Sequence, residues 1–302
     1  MQIIKLSGLF LSVLMLLACA QDNTVTATRA KKNSDDYQKP SLESLCQPDE
    51  SNASEFLKSR VRNSIVGGKT LSAQNIVAEK VALLLVKDRN LTNYCTATVI
   101  SDDLLLTAAH CLQGATADMR VIFSNNYLCA TEDKLAKSVY GVKQYKIHEN
   151  FEKDGLKDLE NDIALVQIQG IKPSLGKAID IKTVVPIRNQ DQLLMVGYGV
   201  MSHQGDGVGR LRILGKSGNS QVNPTEKFRG HYIEQTTKGI CGGDSGGPLL
   251  RVTDQGLEMI GIASAIIRDP EEARCKGTSY FVDINLHIEW IATTKTKLQN
   301  QN

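Results

Sequence analysis

From residue 65 onward the apolar residues of this chain come in short runs, each cut off by turn residues before it reaches helical length. Val81-Ala82-Leu83-Leu84-Leu85-Val86, Thr98-Val99-Ile100, Val121-Ile122-Phe123, Ile163 to Ile168, Leu193 to Val196, Leu249 to Val252 and Met259 to Ile262 all have the length and composition of strands. Ser101-Asp102-Asp103 and Ser124-Asn125-Asn126 separate some of them. Short runs recurring between polar turns predict an all-β protein, because no stretch is long enough to offer a helix a continuous apolar stripe. The exception is Ile284 to Leu298, where Ile288, Trp290 and Ile291 fit a closing helix. Once the polar N-terminal portion is set aside, roughly 240 residues remain, enough for one large domain or two small ones with a real core.

The N-terminal portion reads differently. Residues 1–20 carry Lys5 and then an apolar run from Leu6 to Leu17, too short to span a bilayer and shaped like an export signal. Leu16-Leu17-Ala18-Cys19 resembles a bacterial lipobox with Cys19 as the acylated residue, while Ala18-Cys19-Ala20 also suits ordinary signal peptidase. A cell-envelope lipoprotein and a secreted or periplasmic protein are therefore both open, and membrane contact is expected only through a lipid on Cys19. Residues 21–64 are polar and lack apolar periodicity, which fits a tether and pro-segment. Of seven cysteines, setting Cys19 aside leaves an even number in an oxidising compartment, which favours disulfides over metal sites or catalytic thiols. No metal-ligand spacing or calcium loop stands out, and no cofactor is called for. Lys and Arg total 35 against 33 for Asp and Glu, so a global basic surface for nucleic acid has no support.

Three segments carry chemistry. Cys241-Gly242-Gly243-Asp244-Ser245-Gly246-Gly247-Pro248 surrounds one serine with residues that tolerate strained dihedrals and close backbone approach. In a tight turn the N–H groups of Gly243 and Ser245 can converge on the oxyanion of an acyl-transfer transition state. A serine hydroxyl needs a base, and the base needs an orienting group. His110 in Thr107-Ala108-Ala109-His110-Cys111 and Asp162 in Asn161-Asp162-Ile163-Ala164-Leu165 are the candidates. Alone, each reads as a glycine turn, a core-edge histidine or a capping aspartate. In the order His, Asp, Ser, together with Ile65-Val66-Gly67-Gly68, they resemble the trypsin/chymotrypsin family of serine proteases over about residues 65 to 295. The interval from His110 to Asp162 is long for that family, and the excess falls on the charged stretch Glu152 to Glu160, read as a loop insertion.

Gly243-x-Ser245-x-Gly247 also fits a nucleophile elbow, with Asp283 and His287 following in the order used by α/β-hydrolases. An elbow runs from a strand into a helix. Here Pro248 introduces Leu249-Leu250-Arg251-Val252, which reads as a strand. His287 is then a residue of the closing helix, and His148, His203 and His231 are solvated or structural.

The resemblance implies two antiparallel six-stranded β-barrels, over 65–180 and 181–302, with a C-terminal α-helix packed on the second. His110 and Asp162 would lie on the first and Ser245 on the second. It implies disulfides Cys95–Cys111 and Cys241–Cys275, which leaves Cys46 with Cys129. It also implies a zymogen: cleavage between Ser64 and Ile65 would free an ammonium to pair with Asp244, and before that cut the Gly243 loop should be disordered. The residue before the cut is Ser64 rather than a base, so the activator, another protease or the protein itself, accepts a small residue. Trypsins place an aspartate where this chain has Gly239. Ile266 and Thr278 at the pocket walls resemble elastases, which implies cleavage after small apolar residues; the other reading is that Ile266 fills the pocket. The expected substrates are proteins or peptides, and the expected state is a monomer. The remaining alternatives are a catalytically silent binding protein on a protease scaffold and an exported esterase.

Overall fold

A computed structural model describes residues 66, 68–73, 75–88, 91–115, 118–152, 159–170, 178–201, 207–217, 228–268, 271 and 273–300. Expectations for Cys19, Cys46, Ser64, Ile65 and His203, and for most of the Glu152 to Glu160 insertion, lie outside these residues.

The described chain is mostly β. In order its strands are β1 (Lys69–Thr70), β2 (Val81–Asp88), β3 (Leu91–Val99), β4 (Leu104–Thr107), β5 (Met119–Ile122), β6 (Val139–Ile147) and β7 (Ala164–Ile168). They are followed by β8 (Gln192–Gly197), β9 (Arg212–Ser217), β10 (Gly230–Gln235), β11 (Pro248–Thr253), β12 (Gly256–Ile267) and β13 (Gly277–Asp283). A short helix α1 (Glu132–Ala136) sits between β5 and β6, and α2 (Ile288–Asn300) follows a 3-10 turn at Ile284–Leu286.

Strands β2 to β7 close into a barrel in the order β2-β3-β4-β7-β6-β5, with Leu83 opposite Ile122 at the closing pair. Closure leaves no open edge. Strand β7 and the apolar start of β2 are buried on both faces, which is why Val81 to Leu84 and Ala164 to Val166 run apolar without alternation; the buried Gln167 is bonded to Gln144 and Asp103. The second sheet takes its six other strands from the C-terminal half and adds β1 at one edge, in the order β1-β9-β8-β11-β12-β13-β10. Of the two six-stranded barrels expected, the first is present as a closed barrel, the second set of strands forms a seven-stranded sheet joined by β1, and the terminal helix is present.

The helix docks elsewhere than expected. Rather than covering the second sheet, α2 lies against β6 and β7 of the first barrel. The Leu298 carbonyl accepts from Gln144 at 3.1 Å, and Gln299 donates to Asp103 at 3.1 Å. Trp290 donates to Glu149 at 2.9 Å, with its ring 4.9 Å from that of His148. The reason is chemical: β6, the turn after it and the β3–β4 turn present Gln144, Glu149 and Asp103, the donors and acceptors that the helix's Trp290, Gln299 and last carbonyls require. His287, His148 and His231 are all buried and structural; His287 bonds the Glu160 carbonyl at 2.8 Å, and His231 bonds that of Ile260 at 3.0 Å.

Candidate active site

Strand β4 ends at Thr107, and a 3-10 turn over Ala109–Leu112 carries His110 out of the first barrel. Cys111, in the same turn, is joined to Cys95 on β3, with Cα atoms 6.2 Å apart, so the imidazole hangs from a backbone pinned on both sides. Asp162 stands just before β7, the neighbour of β4 in the barrel. Its carboxylate is almost wholly buried and accepts three hydrogen bonds: from His110 N–H at 2.8 Å, from His110 Nδ1 at 2.7 Å and from the Ser264 hydroxyl at 2.6 Å. Because a carboxylate only accepts, Nδ1 carries the proton and Nε2 is left with a lone pair. Ser264 belongs to β12, so this carboxylate is shared between the two sheets.

The electrostatics follow from that burial. Desolvation by itself pushes the Asp162 carboxyl up, but the charge of His110 and the hydrogen bonds from His110 and Ser264 outweigh it and hold the group below its ordinary value. For His110 burial acts downward, and the Asp162 charge and hydrogen bond overcome it, raising the imidazole above 6.5.

Ser245 arrives from the second sheet, in a turn leading into β11. Gly243 and Gly246 sit at φ of 98° and 81°, a region closed to most side chains. A Cβ on Gly246 would clash with the Thr96 carbonyl and the Thr107 hydroxyl, so the turn lies directly on the first barrel. Thr96 of β3 fastens it: its N–H donates to the Ser245 carbonyl at 2.8 Å and its hydroxyl to the Gly243 carbonyl at 2.9 Å. Tyr198 N–H donates back to that hydroxyl at 3.0 Å. Among the described residues, neither the Gly243 nor the Ser245 N–H is taken by a protein acceptor. His110, Ser245, Gly242, Gly243, Tyr94 and Arg274 line one cleft of about 480 Å³.

Asp244 is fully buried under this turn, its carboxylate accepting from Gly199 N–H at 2.7 Å and Cys241 N–H at 2.8 Å. Burial dominates and lifts its pKa to about 7, against the opposing pull of those two bonds and of the Arg212 charge. A Cβ at Gly197 or Gly199 would collide with this carboxylate, which explains both glycines. Residues 241–247 form a turn, with Asp244 N–H bonded to the Cys241 carbonyl at 3.0 Å. Val66 is buried, its N–H donating to the Gly239 carbonyl at 3.1 Å.

The Cys241–Cys275 disulfide is present with Cα atoms 5.2 Å apart. Cys129 is also disulfide-bonded, to a partner outside the described residues. The sulfurs of Cys95 and Cys111 lie within 4.8 Å of a His110 nitrogen, but their bond to each other uses up both as ligands. The pocket residues fall apart from the rest. Ile266 is half-buried against Cys241 and Cys275, and its strand partner is Ser279. A register shift between Ala263 and Ala265 puts Thr278 opposite Ile267, beside a separate hollow of about 560 Å³. Neither Ile266 nor Thr278 is among the residues lining the cleft. Asp283 and His287 are not there either: Asp283 caps the 3-10 turn through Asn285 N–H. Sequence reasoning missed Thr96 and Gln235 and gave Ser264 no part in holding Asp162. A threonine inside a strand, a glutamine at a strand end and a serine within β12 carry no motif.

An imidazole oriented by a buried carboxylate, beside a serine in a glycine turn between two β-layers, is the kind of arrangement serine hydrolases use. The chain belongs to the trypsin family, whose model, described as Trypsin, matches residues 65–291. It is 27% identical over 190 residues to trypsin epsilon of Drosophila erecta, covering 57% of this chain and 68% of that protein. It is 26% identical over 246 residues to serine protease SSP1 of Scolopendra subspinipes, covering 75% and 82%. It is also 26% identical over 229 residues to transmembrane protease serine 11C of Mus musculus, covering 70% of this chain and 49% of that one.

Proposed function

We propose that the protein is an exported serine endopeptidase that cleaves peptide bonds through an acyl-enzyme on Ser245. The observation that carries this reading is the His110–Asp162 pair meeting Ser245 in one cleft, beside two unclaimed N–H groups. His110 Nε2 takes the hydroxyl proton as Ser245 Oγ attacks the scissile carbonyl. The N–H groups of Gly243 and Ser245 receive the oxyanion, each such donor being worth about 2.7–4 kcal/mol of barrier. The imidazolium, stabilised by Asp162, then protonates the departing amine. Water repeats the sequence on the acyl group and frees Ser245.

Activation is by cleavage between Ser64 and Ile65, by another protease or by the protein itself. The new ammonium pairs with the buried Asp244 carboxylate and fixes the Gly243 loop that carries the oxyanion donors. The pocket favours a small apolar residue before the scissile bond. The leader directs export, with Cys19 as the lipid attachment site, Cys46 closes the third disulfide with Cys129, and the protein acts as a monomer on protein or peptide substrates.

Profiling cleavage of a peptide library by the processed protein, with Ser245→Ala as control, tests the activity. Cleavage of peptides lost in that variant is expected. Turnover of simple esters with intact peptides would contradict an endopeptidase.

A further inference from the structure

Two walls descend from the cleft. One is the segment from Gly239 to Ser245; the other is made of the end of β12, from Ser264, which holds Asp162, through Ile266, together with Cys275 and β13. The Cys241–Cys275 disulfide ties them together. Between them lies the side chain of Gln235, the last residue of β10 and only 1% exposed. Its Nε2 donates to the carbonyls of Ile240 at 2.9 Å and Cys275 at 3.0 Å. Its Oε1 accepts from Ile240 N–H at 2.9 Å and from the Ser279 hydroxyl. Both donors and both acceptor positions are filled, so the amide joins one wall to the other and has no reason to leave.

The space it takes is the space Gly239 would use. A Cβ there would clash with the Gln235 Oε1 and Cδ atoms and come 2.6 Å from its Cβ, so Gly239 has no side chain because Gln235 supplies one from below. Ser279, which anchors the amide, is the strand partner of Ile266. The filling therefore reaches the wall that carries Ile266.

We propose that Gln235 sets the depth of this enzyme's side-chain pocket: its carboxamide fills the floor under Gly239, so that only a short side chain fits before the scissile bond and a long one is refused. This rests on the endopeptidase reading and names the residue that gives it selectivity.

The test uses processed full-length protein and peptide pairs that differ only in Ala or Met before the cleaved bond. Gln235→Ala should raise the Met-to-Ala ratio of kcat/KM by about tenfold or more, the scale set by a few methylenes in an apolar pocket. Gln235→Met, which keeps the volume and loses the hydrogen bonds, should leave the ratio as in the parent. A merely structural role would lower both substrates alike, and an unshifted ratio in Gln235→Ala overturns the proposal. Should Gln235→Ala not fold, Gly239→Ala in the parent chain decides: a lowered urea midpoint is expected, and an unchanged one refutes occupancy by Gln235. Fluorophosphonate labelling of the parent separates the two readings, since absence of label removes the endopeptidase and with it any pocket selectivity.

Discussion

Asp162 gathers the His110 ring, the His110 backbone and Ser264 on one buried carboxylate, so its removal has the largest expected effect after loss of Ser245 itself. Asp162→Asn should lower kcat by about 10⁴, the size known for the equivalent change in a trypsin, because the amide stabilises the wrong tautomer. As the proposed base, His110 would work only when neutral, and the Asp162 carboxylate raises the imidazole above 6.5. The acid limb of kcat/KM should therefore have its midpoint above 6.5 in the parent, and a midpoint at or below that value contradicts the coupling. For stability the trend with pH is the opposite: while Asp162 stays ionised, the His110 contribution is complete below 6.5 and is lost as pH rises through the folded value. Thr96→Val removes the hydroxyl that bonds the Gly243 carbonyl and receives Tyr198 N–H. It should cost about 1–3 kcal/mol by urea unfolding and reduce kcat more than it raises KM, because it loosens the oxyanion donors rather than the binding surface.

Elements position these residues through cross-links between strands. The Cys95–Cys111 bond closes a 16-residue separation and fixes the turn bearing His110. Replacing both cysteines with alanine should cost about 3 kcal/mol in the chain-entropy model and reduce activity beyond the loss of folded protein, measured at a temperature where both forms are folded. The strands legible in the sequence were the buried ones, such as β2, β7, β8 and β11, whose apolar runs have no competing explanation. Strand β6 was not singled out: Lys143, Gln144 and Lys146 interrupt its pattern, since it is only half-covered. The site was legible because its glycines, His110 and Cys111 stand in local motifs. Thr96, Gln235 and the docking of α2 were not, since each depends on a partner distant in the chain. The cross-strand pairing at Ile266 was not legible either, because a register shift between Ala263 and Ala265 sets Ser279 rather than Thr278 opposite it.

At the scale of the whole molecule, the two β-layers are joined through groups that pay for burial unequally. Asp162 is well compensated, whereas Asp244 is lifted to about 7 by burial against an ordinary 3.8. A carboxyl raised in this way lets the uncut fold keep its full stability below pH 3.8 and lose it as pH climbs to about 7, by about 4 kcal/mol. In a Ser245→Ala background, uncut protein should therefore be less stable to urea at pH 8 than at pH 5, and Asp244→Asn should flatten that slope. If the ammonium freed at Ile65 pairs with Asp244, the cut form should gain most at pH 8 and little at pH 5; equal gains at both would contradict the pairing. The most direct measurement is on the nucleophile: treat processed protein with a fluorophosphonate and locate the adduct by peptide mass spectrometry. A single adduct on Ser245, absent in His110→Ala, is the predicted result. No adduct, or one on another residue, would contradict the account.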